Sequence, residues 1–367
     1  MIAKVNMTFH WKKYWPEFVF FALLLVIGLF SHWGKTTLGE WGIQKHYLNA
    51  EGLPIIPRKF LNSANLCFLF FWIATVFTYL FSYEIFNNRK WAMLTVSMWV
   101  CFPALVGIAF FDVPNIHLLA FMMMGCYLFI RLVKRPTYLT ALLLALSHTL
   151  AIWAHPIAIC LPLVSLCFFA LNLFTRNIPL KNIGHGLSYI LGLLVFLMIG
   201  RWGIHFTSSG PILDFLPSTY YIAWYHKIFW LLKVTPPLWM IYFLFGLVAL
   251  NLVYFSNYFA FLKSKWMYSY LFIIMICFFV APYFLPTHLF FLQNRYFFLL
   301  PSLTILGIAG CYEFAQWVRN RWGERTYFIF KYSFIAVFML QCLWSVIAMV
   351  WLHPDYFRYT NWPLFFM

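Results

Sequence analysis

Acidic residues are scarce in this chain. Nine Asp and Glu stand against 25 Lys and Arg among 367 residues, and only 9% of the positions carry a charge. A soluble domain holds about 25% charged residues, so a water-covered surface is excluded. Glycine-rich phosphate loops of the GxxxxGKS or GxGxxG kind are missing, which argues against an ATPase or a nicotinamide enzyme. No HExxH pattern or acidic cluster marks a metal site. The eight cysteines, Cys67, Cys101, Cys126, Cys160, Cys167, Cys277, Cys311 and Cys342, lie in apolar runs without CxxC spacing. They are expected to pack, with neither a disulfide framework nor a thiolate metal centre.

Apolar residues make up 64% of the chain, and the mean hydropathy is +0.82. Many windows reach the ~20 residues that a helix rising about 1.5 Å per residue needs to cross a hydrocarbon core. Windows fall near 16–32, 63–82, 92–110, 113–130, 138–154, 157–173, 187–202, 237–256, 267–285, 295–313 and 332–351. The expected fold is all-α: a polytopic transmembrane bundle of about 11 helices, one integral-membrane domain over 1–367. The first window lacks a small-residue cleavage site and is expected to be retained as a helix.

Basic residues set the expected orientation. With the N-terminus cytoplasmic, sixteen of the 25 Lys and Arg fall on the inner side, among them Arg89, Lys90, Arg131, Lys134, Arg135, Arg319, Arg321 and Arg325. The C-terminus then lies outside, and a bacterial inner membrane is the expected location. The net charge of +16 needs no nucleic acid as partner, because cytoplasmic basic loops face anionic membrane lipid. Two outer loops are long: 33–62, with a short interfacial helix expected from Gly39 to Ala50, and 203–236.

This topology divides the acids. Glu17, Glu84, Glu313 and Glu324 fall on or near the inner side, and Glu40, Glu51, Asp112, Asp214 and Asp355 on the outer side. Asp112 stands at a turn between two apolar windows, with Pro114 placed to start the second. Such a carboxylate either caps a helix or faces a water-filled cavity, since ionisable groups near hydrocarbon are costly. Asn115 and His117 follow and are candidates for lining the same cavity. Arg295 opens a span from the outer side, as a snorkelling anchor or as a phosphate clamp built on a rigid fork of donors. His148 and His155 are seven apart, and Pro156 puts His155 near the outer end of its window.

Three patches resemble a known family. "TLGEWGIQKHYLNAEGLP", "FDVPNIHLLAFMMMGCYLFIRLVKRPTYLTALLLALSHTLAIWAHPIAI" and "NRYFFLLPSLTILGIAG" are similar, in order and in membrane side, to segments of the GT-C fold glycosyltransferases that use polyprenyl-phosphate sugars. The likeness covers about residues 15 to 320 and is greatest for the branch of bacterial protein mannosyltransferases and aminoarabinose transferases. It implies a GT-C-like bundle and transfer of a sugar from a polyprenyl-phosphate donor to a glycan, lipid or protein acceptor. By the same resemblance Glu40 and Asp112 are the catalytic acids, either of them the base, and Arg295 binds the donor phosphate. His155 lies in the second patch and joins Asn115 and His117 as a cavity-lining candidate. Relatives commonly place Asp before the first-loop Glu, whereas here Gly39 precedes Glu40. Some relatives use a divalent metal, for which this sequence shows no recognisable ligand set.

The main rival is a lipid-linked sugar flippase or another polytopic transporter. That class favours inverted repeats and broken helices at matching places in the two halves, and no such internal match is found. A scaffold subunit without chemistry is the other alternative.

Overall fold

A computed structural model describes residues 11–32, 64–102, 113–154, 156–205, 237–254, 265–280 and 299–352. Of these residues 94% are helical, and no strand occurs among them. In chain order the helices are α1 (Trp11–His32), α2 (Ala64–Phe86), α3 (Arg89–Val100), α4 (Val113–Lys134) and α5 (Tyr138–Ala154). There follow a 3-10 turn (Pro156–Ile159), α6 (Cys160–Phe174), a second 3-10 turn (Leu180–Asn182), α7 (Ile183–His205), α8 (Pro237–Tyr254), α9 (Trp266–Val280) and α10 (Leu300–Leu352).

Five helical segments among the described residues are long and apolar enough to cross a membrane: Phe68–Phe86, Ile116–Lys134, Ile157–Phe174, Leu180–Gly200 and Leu300–Ala348. Four shorter apolar segments accompany them, at Trp15–Val26, Tyr138–Ala154, Leu238–Val253 and Trp266–Val280. Large apolar side chains point outward. Leu187, Leu191, Leu194, Met198 and Ile199 stand exposed along α7, an arrangement suited to lipid and costly in water. Polar groups turn inward or onto their own helix. Thr75, Thr78 and Thr149 are buried, and each hydroxyl donates to the carbonyl four residues back at 2.8 Å. That local bond satisfies a donor where no water is at hand.

α10 is too long for one crossing, and its sequence explains how it fits. Gly323 has φ 82° and ψ 176°, a conformation essentially restricted to glycine. The chain folds back there. Phe314 and Phe330 have ring centroids 5.3 Å apart, although a continuous helix would separate them by about 24 Å. α10 is therefore a hairpin, with a first arm before Gly323 and a second arm after it.

α8 lies against both arms. Gly246 meets the backbone of Gly307 and Gly310 on the first arm so closely that a Cβ at Gly246 would overlap the Gly307 carbonyl. On the second arm, Tyr242 donates from its hydroxyl to the Phe334 carbonyl at 2.9 Å. Small residues at a crossing let helix backbones approach without a hydrophobic driving force from the solvent.

Ring and ion contacts fix the relative directions. α2 and α4 run parallel, touching at Phe70 with His117, Phe77 with Tyr127 and Glu84 with Lys134. α5 and α7 also run parallel, through Tyr138 with His185 and His148 with Tyr189. α5 returns antiparallel along α4, where Ser147 Oγ donates to the Phe121 carbonyl at 2.8 Å. Helix ends therefore gather at two opposite ends of the bundle. The turns at one of these ends are polar. Asn88 caps α3 by accepting from the Lys90 amide at 3.0 Å, and Thr137 accepts from the Thr140 amide at 3.1 Å before α5.

A larger residue at the α8 crossing should open it. Gly246→Val is expected to lower stability in detergent by about 1–3 kcal/mol through overpacking, whereas Leu252→Val on the exposed face of α8 should leave the melting temperature nearly unchanged. Thermal unfolding of the two variants side by side checks this.

Candidate functional site

Each acid with a described side chain is ion-paired, and all four acids sit at the same end. Glu17 on α1 meets Arg89 at the start of α3 at 2.9 Å. Glu84 near the end of α2 meets Lys134 at 2.9 Å and Arg131 at 3.5 Å at the end of α4. Glu313 on the first arm of α10 meets Lys265 ahead of α9 at 2.6 Å and accepts from the Tyr268 hydroxyl at 2.8 Å. Glu324 follows the Gly323 turn and accepts from Arg319 Nε at 2.6 Å. Trp91 of α3, 5.4 Å from Tyr312, ties these pairs into one region. These are the acids and bases that the charge distribution assigns to a single membrane face, so the structure collects them as their sequence positions require.

The strength of these pairs differs with their surroundings. Glu313 is 7% exposed and holds two partners. Glu324 and Arg319 have side chains about half exposed, at 53% and 49%, so water competes for both.

The opposite end holds the start of α4, the end of α5, the start of α8 and the start of α10. Of the residues expected to form the site, Glu40, Asp112, His155 and Arg295 lie outside the described residues. Asp112 directly precedes Val113, the first residue of α4, and Arg295 stands five positions before Leu300, the first residue of α10. Asn115 is in the first turn of α4. His117 is described: it is 3% exposed, and its ring centroid is 3.9 Å from that of Phe70 on α2. This histidine packs at the α2–α4 contact, one turn into α4.

Deeper in the bundle lies a polar group of which the sequence singled out His148 but not its partner Tyr189. His148 on α5 is fully buried, and its Nδ1 is 2.7 Å from the Tyr189 hydroxyl on α7. Its ring occupies the space beside Gly125 on α4, where an added Cβ would come within 2.7 Å of Nε2. Nε2 itself is buried without a hydrogen-bond partner. Nearby, Tyr270 of α9 and Ser165 of α6 share a hydrogen bond at 3.0 Å. The sequence signal for this group was a tyrosine or histidine in the middle of an apolar window, a weak one beside so many interface aromatics. Among the described residues no three His, Cys, Asp or Glu side chains converge as a metal-binding group would.

No protein-family model matches the chain, and no curated protein matches it. The class defined by fold and composition is therefore an all-helical membrane protein, with its described acids neutralised at one end and a buried polar group in its core.

The ion pairs give a graded expectation. Glu313→Gln keeps a hydrogen bond but leaves the Lys265 ammonium without its counter-charge, and should cost about 1–2 kcal/mol. Glu324→Gln, at an exposed pair, should cost about 0.5 kcal/mol or less. Melting temperatures at low salt, compared between the two variants, check the order.

Proposed function

We propose that this protein is a glycosyltransferase with about eleven spans and a GT-C-like bundle, moving a sugar from a polyprenyl-phosphate donor to a glycan, lipid or protein acceptor. The proposed setting is a bacterial inner membrane, with the ion-paired end cytoplasmic and the reaction at the outer face. One observation carries the reading. The four described acids are all engaged at one end of the bundle, while α4 and α10, the helices that directly follow Asp112 and Arg295 in sequence, both start at the other end.

The chemistry needs few groups. The acceptor hydroxyl oxygen forms a bond to the anomeric carbon as the bond from that carbon to the donor phosphate breaks, and the hydroxyl proton passes to a carboxylate. Lipid phosphate leaves as a stable anion, so a base and a cation are sufficient. Glu40 or Asp112 is the proposed base, and Arg295 the cation that binds the phosphate. Asn115, His117 and His155 are proposed to line the cavity.

Two substitutions separate chemistry from capping. Glu40→Gln retains shape and hydrogen bonding but cannot take a proton, and loss of the base should slow transfer by about 100-fold or more. Asp112→Asn caps a helix about as well as Asp, so a comparable loss there marks a role in the reaction. Turnover of both variants at matched expression, with a polyprenyl-phosphate sugar as donor, decides. Near-wild-type rates in both would remove the two acids from the mechanism.

The buried His148–Tyr189 group favours a second reading, a flippase or transporter, because ionisable side chains inside a bundle often mark a transport path. On that reading Tyr189→Phe should reduce movement of lipid-linked sugar across proteoliposomes by at least about 10-fold, the scale of losing a buried hydrogen bond. On the glycosyltransferase reading it should change only stability.

A further inference from the structure

At the ion-paired end, the turn of the α10 hairpin gathers cations around a single acid. Arg319 and Arg321 precede Gly323, and Arg325 and Lys331 follow it. Glu324 is engaged by Arg319. Among the described residues Arg321, Arg325 and Lys331 form no ion pair, whereas Arg89, Arg131, Lys134 and Lys265 at the same end all meet carboxylates. Aromatic rings hold two of the α10 cations in place. The Arg319 guanidinium and Lys331 Nζ, one from each arm, lie 5.7 Å and 5.9 Å from the centroid of the same Tyr327 ring. Lys331 Nζ is also 5.9 Å from the Phe328 centroid and 5.7 Å from that of Tyr332. Ring faces attract a cation at such distances without neutralising it, so the Lys331 charge stays open to an anion.

The place of these cations along the helix selects the anion. From Lys331 to Leu352 the second arm is about 32 Å long at ~1.5 Å per residue, close to the ~30 Å of a hydrocarbon core. With that stretch crossing the membrane, Lys331 stands at the boundary, and Arg325 lies beyond it at the level of the headgroups. Arg325, Phe328 and Tyr332 share one helix face by their spacing. Phe328, Tyr332, Met339 and Leu343 continue that face as an exposed apolar stripe running into the hydrocarbon. The geometry points to a binding site for an anionic phospholipid at the turn of the α10 hairpin, with the phosphodiester between Arg325 and Lys331 and an acyl chain along the stripe. Arg321 adds charge at the tip. A guanidinium matches phosphate oxygens through its fork of donors, and cations at this depth attract anionic lipid. A headgroup with its own ammonium, such as phosphatidylcholine, brings no net charge and is held less. A free anion would leave the exposed rings and stripe uncovered, which favours a lipid over inorganic phosphate. This inference is independent of sugar transfer, since it concerns only the α10 turn and the lipid around it.

The experiment titrates the full-length protein in detergent with phosphatidylglycerol or with phosphatidylcholine of the same acyl chains, and reads bound lipid by native mass spectrometry at low ionic strength. Wild-type protein should hold phosphatidylglycerol about 10-fold or more tighter than phosphatidylcholine. Each cation near an anionic surface contributes about five-fold, so Arg325→Gln alone should weaken phosphatidylglycerol by roughly that factor, and Arg325→Gln with Lys331→Gln should remove the preference. Lys90→Gln with Arg135→Gln takes two other exposed cations from the same end and should leave the preference in place. Equal affinity of the wild-type protein for the two lipids, or a preference that survives loss of Arg325 and Lys331, would overturn the inference. An equal loss in the Lys90 and Arg135 variant would overturn it too, as the mark of net charge without a site. Displacement of phosphatidylglycerol by equimolar inorganic phosphate would do the same, as the mark of a free-ion site.

Discussion

A carboxylate in an apolar bundle persists as an anion only where a cation or water meets it, and this requirement organises much of the architecture. Glu17 and Glu84 each bridge to a base on another helix, and Glu313 to Lys265 just ahead of α9. The pairs tie α1 to α3, α2 to α4 and α10 to the lead-in of α9, at one end of the bundle. Moving a charge from water into hydrocarbon costs several kcal/mol per ion, a cost that pairing offsets, so a register that moved one of these helices by a turn would strand a charge. The ion pairs thus favour one alignment of helices that apolar packing alone would leave free to slide.

Away from that end the same economy of polar groups is met differently. Threonine hydroxyls bond back to their own helices, and His148 Nδ1 and the Tyr189 hydroxyl share a hydrogen bond across α5 and α7. Close approach replaces hydrophobic driving force. Gly246, Gly307 and Gly310 put the backbones of α8 and the first arm of α10 in contact, while Gly125 leaves the space that the His148 ring fills. Each of these glycines serves a neighbour on another helix. None is needed for the backbone conformation of its own, which separates them from Gly323.

Much of the helical layout was legible because lipid imposes a simple rule on sequence: an apolar window bounded by charge, proline or asparagine. α5 coincides with the window 138–154, and α4 begins at the residue after Asp112 as Pro114 suggested. The hairpin within α10 was legible as two windows separated by Arg319, Arg321 and Arg325, although Gly323 as its pivot was not. A single glycine in a basic turn looks like any other until its φ is known. The interest of His148 was visible as a histidine in an apolar run, but Tyr189 as its partner was not, because the two are 41 positions apart with α6 between them.

The sequence by itself determined that the chain is a helical membrane protein and that Glu17, Glu84, Glu313 and Glu324 share an end with their bases, because hydropathy and charge are summed locally. Only the tertiary structure decided which helices are neighbours. Glu84 meets Lys134 and Glu313 meets Lys265 because parallel and antiparallel packing bring those helix ends together. The end of α3 and the second arm of α10 both meet the start of α8, with Trp239 on Phe102 and the Leu238 amide on Gln341. Every apolar helix face suits lipid and most other helix faces about equally, so periodicity cannot choose among partners. The choice falls to the few places where shape and polarity are particular: a glycine facing a glycine, a ring filling a gap, and a charge that must find its opposite.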